Sequence, residues 1–127
     1  MRALLALLLM VVPAMSKAED LTGIDWLLVA VDGVVFEAET TLHIEADGAM
    51  HGRAPCNRWS AANRAMLPKL DLGAIRSTRM ACPQLAEEQA FFAALVGVTD
   101  ARVDGTGSLI LSSPDGRTLE FIADRTD

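Results

Sequence analysis

The 127-residue chain has no tyrosine, and aromatic residues make up only 5% of it. Two roles that tyrosine often fills, general acid and interface anchor, must fall to other residue types. Positive charge is also scarce: 11 Lys and Arg stand against 17 Asp and Glu, a formal net charge of −6. Phosphate contacts need concentrated Lys and Arg, so no nucleic-acid partner is expected. No Gly-x-Ser-x-Gly elbow occurs, and neither histidine lies in a recognisable base context, which argues against serine hydrolysis. A glycine-rich phosphate loop is missing too; Gly105-Thr106-Gly107 reads as a tight turn.

What is present begins with a targeting pattern. Met1-Arg2 is a short basic start, and Ala3 to Val12 is an apolar run of about ten residues, too short to span a bilayer. Pro13 ends the run, and Ser16-Lys17-Ala18 supplies small residues for cleavage. The pattern predicts a signal peptide over residues 1–18, cut after Ala18, with Ala14-Met15-Ser16 as the alternative site. No cysteine follows the run, so a lipoprotein anchor is not expected. The mature chain, residues 19–127, is expected to be a single exported, soluble, monomeric domain with no stable membrane insertion. Cleavage removes Arg2 and Lys17, leaving 9 basic against 17 acidic residues, a charge of −8.

Export gives meaning to the only two cysteines, Cys56 and Cys82. An oxidising compartment favours a disulfide between them. Pro55 precedes the first and Pro83 follows the second, and no Cys-x-x-Cys motif supports a redox dithiol. The bridge would close a loop of about 27 residues, with a chain-entropy contribution of about 3–4 kcal/mol.

Asp-Gly dipeptides at Asp32-Gly33, Asp47-Gly48, Asp104-Gly105 and Asp115-Gly116 mark hairpin turns between short alternating stretches. Strands are predicted over Asp25–Val31, Thr40–Ala46, Met50–Ala54, Arg58–Met66, Leu72–Thr78, Arg102–Asp104, Ser108–Ser112 and Thr118–Ala123. Trp26, Leu28, Leu42, Ile44, Leu109, Leu111, Leu119 and Phe121 are the expected core, and Leu72, Ala74 and Arg76 are expected to share one face. Pro83–Val96 breaks the pattern with Leu85, Phe92, Leu95 and Val96 at helical spacing. Pro83 suits a first turn, Glu87 and Glu88 suit its positive end on the wet side, and Gly97 stops it. The expected fold is α+β: a curved antiparallel sheet, partly open and barrel-like, packed on one main helix.

Chemistry is thin along this chain. With Asp47-Gly48 as a two-residue turn, Ile44 pairs with His51 and His43 with Gly52, so the two histidines point to opposite faces and share no metal. A soft copper site from His43 and Met50 is the minor alternative. Glu37/Glu39 and Glu87/Glu88 read as solvated carboxylates. No catalytic, cofactor-binding or metal residues are assigned. Asn57 beside Cys56 is expected to fix a turn, with a ligand groove lined by Trp59, Arg58 and Arg79 as the sharper alternative.

At these positions the chain resembles the META domain family, which includes the HslJ-like heat-shock proteins. Trp26 fits its opening strand; Gly52, Cys56, Asn57, Arg58 and Trp59 fit its first cysteine motif. Thr78, Met80, Ala81, Cys82 and Pro83 fit the second, Glu88, Phe92 and Leu95 the helix, and Leu109, Leu111, Leu119 and Phe121 the final hairpin. Pro55 stands where glycine usually precedes the first cysteine, Ala61 replaces a common glycine, and Asn63 takes an often aromatic position. The resemblance covers roughly residues 21–123. It implies a periplasmic, non-enzymatic domain linked to envelope stress, and it carries over no catalytic residue. The expected partner is a protein or a small apolar ligand; inhibition of an envelope or secreted protease through the Pro55-Cys56-Asn57-Arg58 loop is the alternative.

Overall fold

The computed structural model describes residues 21–124. The predicted signal peptide, residues 1–18, lies outside the described residues. Nine strands and one helix follow in chain order: β1 (Asp25–Val31), β2 (Val34–Val35), β3 (Thr41–Ile44), β4 (Met50–Arg53), β5 (Arg58–Ala61), β6 (Arg76–Ser77), α1 (Leu85–Leu95), β7 (Asp100–Val103), β8 (Leu109–Ser112) and β9 (Thr118–Ala123). They form one antiparallel sheet in the order β6-β5-β4-β3-β1-β9-β8-β7, with β2 pairing off this path on β1. The fold is the expected α+β arrangement, a curved sheet carrying one helix.

Alternation sets the inner face. Trp26, Leu28 and Ala30 of β1 point inward, as do Leu42 and Ile44 of β3 and Leu119 and Phe121 of β9. Leu109, Leu111 and Phe121 are fully buried, each side chain contributing about 1.5–3 kcal/mol relative to exposure. The β1–β9 register shifts between Leu28 and Ala30. One extra residue on β1 at that point bends the strand and tightens its twist, which helps curl the sheet. The sheet ends, β6 and β7, do not pair with each other. The segment between β5 and β6 reaches across instead, through an Asn63–Leu72 bridge and a Lys69–Asp100 bridge to β7. Asn63 organises this segment: its side chain accepts from the N–H of Ala65 and Asp71 and donates to the carbonyl of Lys69.

The Asp-Gly turns are of two kinds. Asp32 and Gly33 form a two-residue hairpin turn, both at positive φ (53° and 77°), between Val31 and its partner Val34. The other three turns hold three residues. At Asp47-Gly48 the N–H of Gly48 donates to the carbonyl of Glu45, the N–H of Glu45 donates to the carbonyl of Ala49, and Gly48 carries φ 91°. Gly107 and Gly116 repeat this arrangement, with φ of 86° and 90°. A type I turn followed by a left-handed glycine adds one residue to the loop. That moves the β3–β4 register by one position, so His43 pairs with His51 and Ile44 with Met50. The expected separation of the two histidines onto opposite faces is therefore wrong. Met50 is buried in the core beside Ile44, on the face away from His43, which removes the copper alternative.

Two further expectations are corrected. Predicted strand Leu72–Thr78 shrinks to Arg76–Ser77; Leu72 is buried, while Ala74 and Arg76 are exposed. The helix runs Leu85–Leu95 with Gln84 at its N-cap, so Pro83 lies just ahead of it. Its inward stripe is Glu88, Phe91, Ala94 and Leu95, whereas Leu85 and Val96 are exposed. Phe91 and Phe92 pack on Trp59, with ring centroids 5.6 Å and 6.5 Å away in edge-to-face arrangements.

The turns also fix several carboxylates. The Arg117 guanidinium, then the Thr118 N–H, hold the Asp32 carboxyl below its usual range. Lys69 and then Thr99 do so for Asp100, the Thr106 hydroxyl and nearby N–H groups for Asp104, and the Ser113 hydroxyl for Asp115. A depressed folded-state value means the unfolded chain takes up protons more readily. The stabilisation is complete above the unfolded carboxylate value, about pH 4, and is lost as pH falls through the lower folded values. The melting temperature should hold steady from about pH 7 to 5 and fall below about pH 4. A loss that is complete before pH 5 on the way down contradicts these assignments.

Candidate functional site

The two cysteine segments meet where β5 begins and α1 starts. Cys56 and Cys82 lie at disulfide distance, with Cα atoms 5.5 Å apart. Beside them Asn57 is buried, at 6% exposure. Its Nδ2 donates to the Met80 carbonyl at 3.0 Å and to Glu88 Oε2 at 2.7 Å. Its Oδ1 accepts from the Met80 N–H at 2.6 Å and the Thr78 hydroxyl at 2.9 Å. The amide side chain thus spends both donors and both lone pairs tying one segment to the other.

Glu88 completes the arrangement from the helix. It is 3% exposed, although a solvated position is predicted for it from sequence. Its Oε1 accepts from the N–H of Cys56 at 2.9 Å and of Asn57 at 2.8 Å. A buried carboxylate is tolerable only when its oxygens are hydrogen-bonded, and here three donors converge on it. Among the described residues no buried side-chain polar atom is left unpartnered. The expectation that Asn57 fixes a turn is right in kind but too local: its partners lie at Thr78, Met80 and Glu88. Helical spacing holds the missed signal, since Glu88 falls on the same stripe as Phe91 and Leu95.

Gly52 is required by close approach. A Cβ there would sit 2.1 Å from the Thr41 carbonyl oxygen. The same carbonyl accepts from Trp59 Nε1 at 3.3 Å, so the bare Gly52 lets β3 approach β4 closely while the Trp59 indole of β5 reaches across to β3.

Outside this network lies an open groove of about 520 Å³, lined by Glu39, Arg53, Pro55, Arg58, Thr78 and Met80 among others. Arg53 and Arg58 face each other across the β4–β5 pair. Met80 is 68% exposed. The groove differs from the expected one: Arg58 lines it, Trp59 is buried in the core, and exposed Arg79 lies outside the lining.

No helix among the described residues is long and apolar enough to cross a membrane. The chain is similar to an NMR structure of a protein from Burkholderia xenovorans, with a TM-score of 0.66 and 25% identity over 86% of this chain and 87% of that one. A second NMR structure shares the fold, with a TM-score of 0.62 and 24% identity over 86% and 96% of the two chains. Comparison with curated proteins found no match. The META domain family model matches residues 19–126, and the chain belongs to that family.

Proposed function

We propose that this protein is a non-enzymatic periplasmic META domain that binds a protein segment in the Arg53–Arg58–Met80 groove, as part of envelope maintenance under stress. The observation that carries this reading is how the motif polar groups are used. Asn57, Thr78 and Glu88 hydrogen-bond one another and the backbone, which leaves them as scaffold, while Arg53, Arg58 and Met80 face outward above them. The N-terminal leader pattern and the cysteine pair at disulfide distance support an oxidising, exported setting. Protease inhibition is less well supported. An inhibitory loop has to project into its enzyme, whereas Pro55, Cys56, Asn57 and Arg58 line a concavity.

Site-specific photocrosslinking in the native envelope tests the reading. A photoreactive residue at Met80 should capture one discrete partner, and the same probe at Met66, 86% exposed and outside the groove lining, should not. Equal capture from both positions, or none from Met80, contradicts it.

A further inference from the structure

The corrected β3–β4 register gathers a second group of side chains on the outer face of the sheet. His43 and His51 are directly opposed, with ring centroids 4.9 Å apart. Glu45, at the hairpin end, reaches both: its Oε1 lies 2.8 Å from His51 Nε2 and 3.8 Å from His43 Nε2. Ligand atoms of the three residues all lie within 4.8 Å of one another. In a tetrahedral site with bonds of about 2.0–2.1 Å, neighbouring ligand atoms stand roughly 3.3 Å apart. The three atoms therefore need shifts of about an ångström or less to close on one ion, within reach of exposed side chains.

Asp25 supplies a second, independent feature. Its Oδ1 lies 2.9 Å from His43 Nδ1 and is anchored on β1, the neighbouring strand. A carboxylate on Nδ1 fixes the tautomer that carries its proton there and leaves the Nε2 lone pair facing Glu45. Carboxylate-oriented histidines of this kind are a regular accompaniment of metal ligation. His51 Nε2 lies 2.8 Å from Glu45 Oε1, a contact that an incoming cation would replace.

We propose that His43, His51 and Glu45 form a surface site for a late first-row divalent cation, Zn2+ being the probe, with Asp25 as the positioning residue for His43. Two imidazole nitrogens and one carboxylate oxygen suit this class, and hard cations that want all-oxygen shells do not fit the set. The half-exposed side chains of His51 and Glu45, 51% and 52%, leave the remaining coordination position to water or to a ligand from a partner. The site lies outside the groove lining, so it stands or falls separately from the proposed partner binding.

Calorimetric titration of the untagged protein with Zn2+ provides the test. The expected result is one-to-one binding in the micromolar range. His43→Ala and His51→Ala should each weaken binding at least tenfold. Asp25→Asn should weaken it less than either alanine variant while raising the Nε2–H share of the free His43 tautomers, read from its imidazole 15N shifts. The imidazole signals of both histidines in the unmodified protein should move together as Zn2+ is added, a readout that needs no variant. No binding, binding that both alanine variants retain within tenfold, or imidazole signals that do not move overturns the proposal.

Discussion

Replacing Glu88 with alanine should lower the unfolding free energy by about 2–4 kcal/mol, the scale expected when buried donors lose a charged acceptor. Three donors lose their acceptor at once: the N–H groups of Cys56 and Asn57 and the Asn57 amide. All three are buried or part-buried contacts, so the cost is mainly unsatisfied hydrogen bonding rather than lost packing. For a domain with total stability of about 5–15 kcal/mol this is a large fraction. Glu88→Gln is the discriminating variant. Its carbonyl oxygen can still accept from the two backbone N–H groups, but its amide then faces the Asn57 Nδ2 donor. It should therefore fall between wild type and alanine in urea midpoint. Equal stability for all three proteins contradicts a central role for Glu88.

The second large effect concerns the cysteine pair. The chain-entropy model gives about 3.5 kcal/mol for a closed loop of about 27 residues. In a domain of this size that corresponds to a fall in melting temperature of roughly 10–20 °C on reduction, or in Cys56→Ser/Cys82→Ser. The reduced domain should still fold, because the Asn57–Glu88 bonds tie the same two segments by a different route. An unchanged melting temperature under reductant contradicts the staple. Combining the reductant with Glu88→Ala should give more than the sum of the two losses, since either tie shortens the search for the other.

These expectations show where the sequence was legible. Alternation placed Leu42, Ile44, Leu109, Leu111, Leu119 and Phe121 in the core, because a half-buried strand leaves its period in the residues themselves. Turn length was not legible. Asp-Gly marks a turn without saying whether its glycine is the second or the third loop residue, and one residue of difference moved His43 and His51 to the same face. The helix face was misread because Leu85 and Val96 are apolar yet lie at the helix ends, away from the sheet, while the buried stripe opens on a charged residue. Short strand β2, with Val34 and Val35 exposed, left no periodic signal in two residues. The candidate site was half visible. The cysteine motifs identified the segments, but their connection runs through Glu88, whose partners are about thirty residues away in sequence and beyond any local pattern.

Hydrogen exchange at the Cys56 and Asn57 amides tests most directly whether the motif residues are scaffold. Both amides sit in a loop, yet both donate to buried Glu88. They should exchange as slowly as the core amides of β1, speed up greatly in Glu88→Ala and less in Glu88→Gln, whereas exchange at the rate of an open turn in the wild-type protein would contradict the scaffold role.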